Sequence, residues 1–117
     1  MQTTIPDELL DRVAEKFRML ADPTRLSILR ALMAGEKNVG TVVSETGQNQ
    51  ANVSKHLKMM TGAGIVRRRK AGLQVFYCLD DPLVEKLCTL VCGAILEEAQ
   101  KRVDKSREIL KTWKGLG

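Results

Sequence analysis

The sequence predicts a mainly α-helical chain carrying one small two-stranded β-hairpin, and three observations predict it. Apolar residues recur at helical spacing through most of the 117 residues. Hydrophobic side chains make up 44% of the chain but aromatics only 3%, so the core must be built from Leu, Val, Ile, Ala and Met, which suits helices better than a β-sandwich. The period changes only between residues 65 and 79, where two short strand-like runs flank Ala71-Gly72. A length of 117 residues fits a single domain with a modest core and is too short for two independent enzyme domains.

The first helix opens at Thr4-Ile5-Pro6-Asp7, with Thr4 as cap, Pro6 in the first turn, and Asp7 and Glu8 complementing the dipole. Leu9, Leu10, Val13, Ala14, Phe17 and Leu20 give it an apolar face. Asp22-Pro23 starts a second helix, which turns Leu26, Ile28, Leu29, Leu32 and Met33 inward and ends at Gly35. A short third helix, about 38–46, carries Val39, Val42 and Val43 before Gly47. A fourth, about 49–61, buries Val53, Leu57 and Met60 at i, i+4 and i+7 until Gly62 and Gly64 stop it. The hairpin follows at about 65–79. Asp81 then caps a last helix over about 82–113, roughly 46 Å long. Along that helix Cys92, Leu96, Ala99, Val103, Ser106, Leu110 and Trp113 follow alternating four- and three-residue steps, a seam that requires a partner helix.

Two short helices joined at a glycine and followed by a basic hairpin make a winged helix-turn-helix, with the motif over about 38–61 and the wing over about 65–79. Charge agrees with this. The net charge is +5, yet no acidic residue occurs from Thr46 to Leu79, where Lys55, Lys58, Arg67, Arg68, Arg69 and Lys70 stand. An acid-free basic span suits a polyanion, most simply nucleic acid, and with a winged helix the expected partner is double-stranded DNA. With the apolar set of the fourth helix inward, its outward set is Gln50, Ala51, Asn52, Ser54, Lys55 and Lys58, with His56 on the flank. Gln and Asn pair bidentately with adenine, while Lys reaches guanine or phosphate. Arg67, Arg68, Arg69, Lys70 and Gln74 place the hairpin on the backbone or in the minor groove. Two other readings remain open: ordinary solvent-facing polar residues, and a winged-helix protein-interaction module that never binds DNA.

Several classes are excluded. No nucleophile–base pair, phosphate loop or carboxylate pair presents itself, so an enzyme is not expected. His56 is the only histidine, which excludes a multi-histidine metal site within one chain. No apolar run approaches the roughly 20 residues that span a bilayer, so no membrane partner is expected. The N-terminus lacks the charged and apolar regions of a signal peptide, which points to the cytoplasm and to three reduced thiols.

The segments Leu20-Ala21-Asp22-Pro23-Thr24-Arg25-Leu26-Ser27-Ile28-Leu29, Gln50-Ala51-Asn52-Val53-Ser54-Lys55-His56-Leu57 and Gly64-Ile65-Val66, with a basic hairpin ending in Tyr77, resemble the ArsR/SmtB family over about residues 8–98. The resemblance implies a homodimeric repressor, dimerising through its first and last helices and released from operator DNA by an inducer. It also implies where inducers bind in such proteins, and this sequence departs from those places. The thiol motif would fall on residues 37–43, which contain no cysteine. The last-helix zinc site would fall on Asp81, Leu83, Ala94 and Glu97, which lack both histidines, so zinc is not expected there. The paired-thiol pattern of persulfide sensors fails because residues 1–77 contain no cysteine.

What remains is Cys88 with Cys92, one helical turn apart, and Cys78 at the end of the hairpin. Three readings stay open for these thiols: small buried hydrophobes, ligands for a soft metal or metalloid such as arsenite, and sensors of oxidants or reactive sulfur. Cys78 is the weaker third ligand.

Overall fold

The computed structural model of the chain describes residues 4–113 and 115. Its elements in order are α1 (Asp7–Leu20), α2 (Pro23–Met33), β1 (Lys37–Asn38), α3 (Val39–Thr46), α4 (Gln50–Gly62), β2 (Val66–Ala71), β3 (Gln74–Leu79) and α5 (Pro82–Thr112). The chain divides into two units, residues 1–82 and 83–117. The first holds the small helices and the sheet; the second is the body of α5.

The core of the first unit is aliphatic, as the composition requires. Ile28 and Leu29 of α2, Val42 of α3, and Val53, Leu57 and Met60 of α4 are fully buried, and Ile65 and Val66 close the core from the start of the wing. Leu26 does not join them. It lies about 200° round the helix from Ile28, which puts it on the flank of α2, and it is exposed. Val39 and Val43 are half-buried, leaving Val42 as the one fully inward residue of α3.

Helix ends follow local chemistry. The Asp22 carboxylate accepts from the Arg25 backbone N–H at 2.9 Å, with Pro23 at the first helical position. That bond holds the Asp22 carboxyl below the ordinary carboxylate value. A depressed value means that the stabilisation is present above the unfolded value of about 3.9 and is lost as pH falls through the folded one. The melting temperature of the parent should therefore fall more steeply than that of Asp22→Asn between about pH 5 and pH 3. Parallel curves would show that the cap contributes nothing. At α1 the expected cap is not used: Pro6 occupies the N-cap position and no side chain caps the helix, because Thr4 lies two residues too early to reach the free N–H groups.

The sheet has three strands rather than two, in the order β1-β3-β2, all antiparallel. β1 adds only Lys37 and Asn38, paired with Tyr77 and Phe76. It forms because the chain must run extended into Asn38, the cap of α3, and that extension lies beside β3. The wing turn also sits one residue later than Ala71-Gly72. Ala71 and Gln74 are the last ladder pair, so the two-residue turn is Gly72-Leu73. Gly72 has φ +62°, as the first position of a II′ turn requires.

Candidate nucleic-acid interface

Three local devices set the helix-turn-helix. Asn38 accepts from the Thr41 N–H at 2.8 Å to start α3, and Asn49 accepts from the Asn52 N–H at 2.8 Å to start α4. Between them Gly47 takes φ +71° and donates its N–H to the Val43 carbonyl at 3.0 Å, the left-handed C-cap that lets the chain reverse. With Val53, Leu57 and Met60 buried, the rotation of α4 about its axis is fixed.

That rotation exposes Gln50, Ala51, Ser54, Lys55 and Lys58. Lys55 and Lys58 have no ion-pair partner among the described residues. Asn52 and His56 are only half-exposed and already engaged. The Asn52 amide donates to Gln48 Oε1 at 3.4 Å. His56 Nδ1 lies 3.5 Å from a guanidinium nitrogen of Arg25.

Arg25 is the residue to which sequence reasoning assigned no role. Its Nε donates to the Met19 carbonyl at 2.8 Å and its Nη2 to the Arg18 carbonyl at 3.1 Å, while Nη1 also approaches Met59 Sδ at 3.5 Å. One side chain thus ties the last-turn carbonyls of α1 to the flank of α4. A cation in the first turn of a helix, three residues after its Asp22 cap, was the available signal; its partners were not.

The wing is less uniformly free than its charge suggests. Arg69 makes a two-pronged contact with Glu36, with Nε to the two carboxylate oxygens at 3.2 and 3.0 Å and Nη2 to Oε1 at 2.5 Å. Its guanidinium also lies 5.0 Å from the centre of the Phe76 ring. This hydrogen bond holds the Glu36 carboxyl below its ordinary value and pushes the Arg69 guanidinium above its own, so both charged forms are favoured. Arg67 lies 3.7 Å from Asp80 and 3.6 Å from Cys78 Sγ. Arg68 and Lys70 are exposed, without an ion-pair partner among the described residues, and Gln74 is exposed. The cations open to a polyanion are therefore Lys55, Lys58, Arg68 and Lys70, with Arg67 and Arg69 braced by acids outside the basic span.

The thiols lie elsewhere. Cys78 is half-buried on β3, across from Arg67. On α5 Cys88 is half-buried and Cys92 exposed, and burial pushes the Cys88 thiol up from its ordinary value. No group of three His, Cys, Asp or Glu side chains is arranged to hold a metal ion among the described residues. Asp81 instead accepts from Lys16 Nζ at 2.5 Å.

A glycine-reversed helix pair, an anchored second helix with an acid-free face and a three-stranded wing define a winged helix-turn-helix protein. A family model described as bacterial regulatory protein, arsR family, matches residues 22–68. The HTH-type transcriptional regulator KmtR of Mycobacterium tuberculosis is 37% identical over 83 residues, 71% of this chain and 64% of KmtR. The chain thus spans a little under two-thirds of that relative. The uncharacterized HTH-type transcriptional regulator MJ1325 of Methanocaldococcus jannaschii is 38% identical over 85 residues, 72% of this chain and 96% of its own. Among solved structures, the AntR antimony-specific transcriptional repressor matches with a TM-score of 0.76 and 28% identity, over 85% of this chain and 90% of its own. The homodimeric winged helix-turn-helix DNA-binding domain of Mb0332 from Mycobacterium bovis matches with 0.72 and 30% identity, over 86% and 95%. The chain belongs to the ArsR family of bacterial regulatory proteins. No helix among its described residues is long and apolar enough to cross a membrane.

Proposed function

We propose that this chain is a homodimeric transcriptional repressor that binds double-stranded operator DNA through α4 and the wing, and that an inducer acting on the thiols of α5 releases it. The observation that carries the DNA reading is the face of α4. Gln50, Ser54, Lys55 and Lys58 are exposed on a helix whose opposite side is pinned by three fully buried residues, so they meet a groove as a rigid set. Titration of duplexes from the chain's own upstream region, by fluorescence anisotropy across a salt series, tests it. Log affinity should fall linearly with log salt. Lys55→Ala and Lys58→Ala should each cost about 1 to 3 kcal/mol, whereas neutralising the open wing cations Arg68 and Lys70 together should weaken all sequences alike and flatten the salt slope. Specific binding that survives all four changes would overturn the assignment, and an absence of any salt-dependent binding would favour a protein-interaction module.

The dimer reading is supported by apolar residues that the chain leaves uncovered. Leu9, Leu10 and Phe17 of α1, Leu96, Val103 and Leu110 of α5, and Trp113 just after it are exposed, and a relative of the same fold is a homodimer. The inducer reading is supported by the spacing of Cys88 and Cys92, one turn apart on the same face of α5. Two thiols from each copy would supply up to four soft ligands, which suit arsenite or another thiophilic ion rather than magnesium or calcium. Coordination must displace the thiol protons, so the response should strengthen as pH rises. Oxidants or reactive sulfur act on the same pair. The double variant Cys88→Ser, Cys92→Ser should keep its DNA affinity and ignore arsenite, while Cys78→Ser should matter less. If the double variant and the parent respond alike, the cysteines are packing residues.

A further inference from the structure

We infer that the wing tip is a minor-groove wedge, with Leu73 as the apolar side chain that enters the groove between base steps. The inference rests on the DNA-binding reading above. Leu73 has a relative exposure of 104%, and the next large apolar residue, Leu90, has 69%. The turn keeps it there. Gly72 and Leu73 are the only residues between the last ladder pair, Ala71 and Gln74, so the side chain has no loop into which to fold back. Its neighbours Ala71 and Gly72 are small, which keeps the tip slim enough for a minor groove about 6 Å wide.

The surroundings specify the partner. Lys70 and Arg68 are exposed behind the tip, have no ion-pair partner among the described residues, and lie in a span with no acidic residue. An apolar tip backed by open cations matches the sugar walls and stacked base faces of a groove between two phosphate rails, and matches an apolar protein surface poorly. Exposed Gln74 adds an amide donor for the adenine N3 and thymine O2 acceptors of that groove. Apolar side chains that enter the minor groove partly unstack a base step, and TA and CA/TG steps unstack most easily. Leu73 should therefore impose a preference for such a step beside the bases that α4 meets.

Selection from randomised duplexes with the parent, Leu73→Ala and Leu73→Lys tests this, and the full exposure of Leu73 leaves the variants folded. The parent should enrich a flexible step at a fixed distance outside the α4-contacted bases. Leu73→Ala should enrich the same central bases without that step, and its affinity for the parent's duplex should fall about tenfold, within the range for losing one specific contact. A 2-aminopurine placed at the step should brighten with the parent and stay dim with Leu73→Ala. Identical flanks selected by parent and variant would overturn the wedge and leave the DNA reading intact. A parent that enriches no duplex would overturn both. A change in the sedimentation of the DNA-free protein on Leu73→Lys would show that Leu73 joins protein copies, which also overturns the wedge.

Discussion

Leu57→Ala should cost about 2 to 5 kcal/mol of folding stability and weaken DNA binding with it. Leu57 is fully buried at the middle of the inner face of α4, between Val53 and Met60, with Ile65 closing the core nearby. Removing its branched end leaves a cavity that rigid neighbours fill only in part. Domains of this size are typically stable by only about 5 to 15 kcal/mol, so a loss of this size is a large share of the total. The functional consequence follows from geometry: the same contact that stabilises the core sets the rotation of the face carrying Lys55 and Lys58. Urea unfolding should show a lower midpoint, and anisotropy should show weakened DNA binding even where the protein remains folded. Lys58→Ala is the control, expected to leave stability within about 0.5 kcal/mol while weakening DNA binding. An unchanged unfolding midpoint for Leu57→Ala would mean that α4 is not held by this core.

What the sequence made legible was local. The Asp22-Pro23 start of α2, the Gly47 reversal and the Val53, Leu57, Met60 spacing each encode their meaning within a few residues, and the structure bears each of them out. β1 was not legible because two residues are too few to display alternation; it exists through pairing with Tyr77 and Phe76, about 40 residues away. The wing turn was displaced by one residue because Gly72 marks a turn without saying which side of it the second position takes. The candidate interface divides in the same way. The acid-free span was visible as composition, but Glu36 on Arg69, Asp80 on Arg67 and Arg25 on His56 join residues that only the fold brings together. Sequence counted six cations, and the structure distinguishes the braced from the free.

Glutamate at both Leu96 and Leu110 should convert the protein from dimer to monomer. The two positions lie on the seam that runs through Cys92, Leu96, Ala99, Val103, Ser106, Leu110 and Trp113, and their exposures of 64% and 67% are high for leucines on one helix. Burying each such side chain contributes about 1.5 to 3 kcal/mol, and the two-fold pairing proposed here would bury both copies. That sum is comparable with the roughly 8 kcal/mol that corresponds to micromolar association, and the substitution adds like charges to a desolvated face. Glutamate has nearly the helix propensity of leucine, so α5 itself should survive and the circular-dichroism spectrum should stay helical. Loss of the dimer should in turn cost operator affinity, because a monomer engages one half-site and cannot gain from the second. Sedimentation velocity at micromolar concentration, followed by DNA titration of the same samples, reads both effects. A double variant that sediments as the parent does would place the dimer interface elsewhere, and a monomeric parent would leave the exposed seam of α5 without the partner assigned to it.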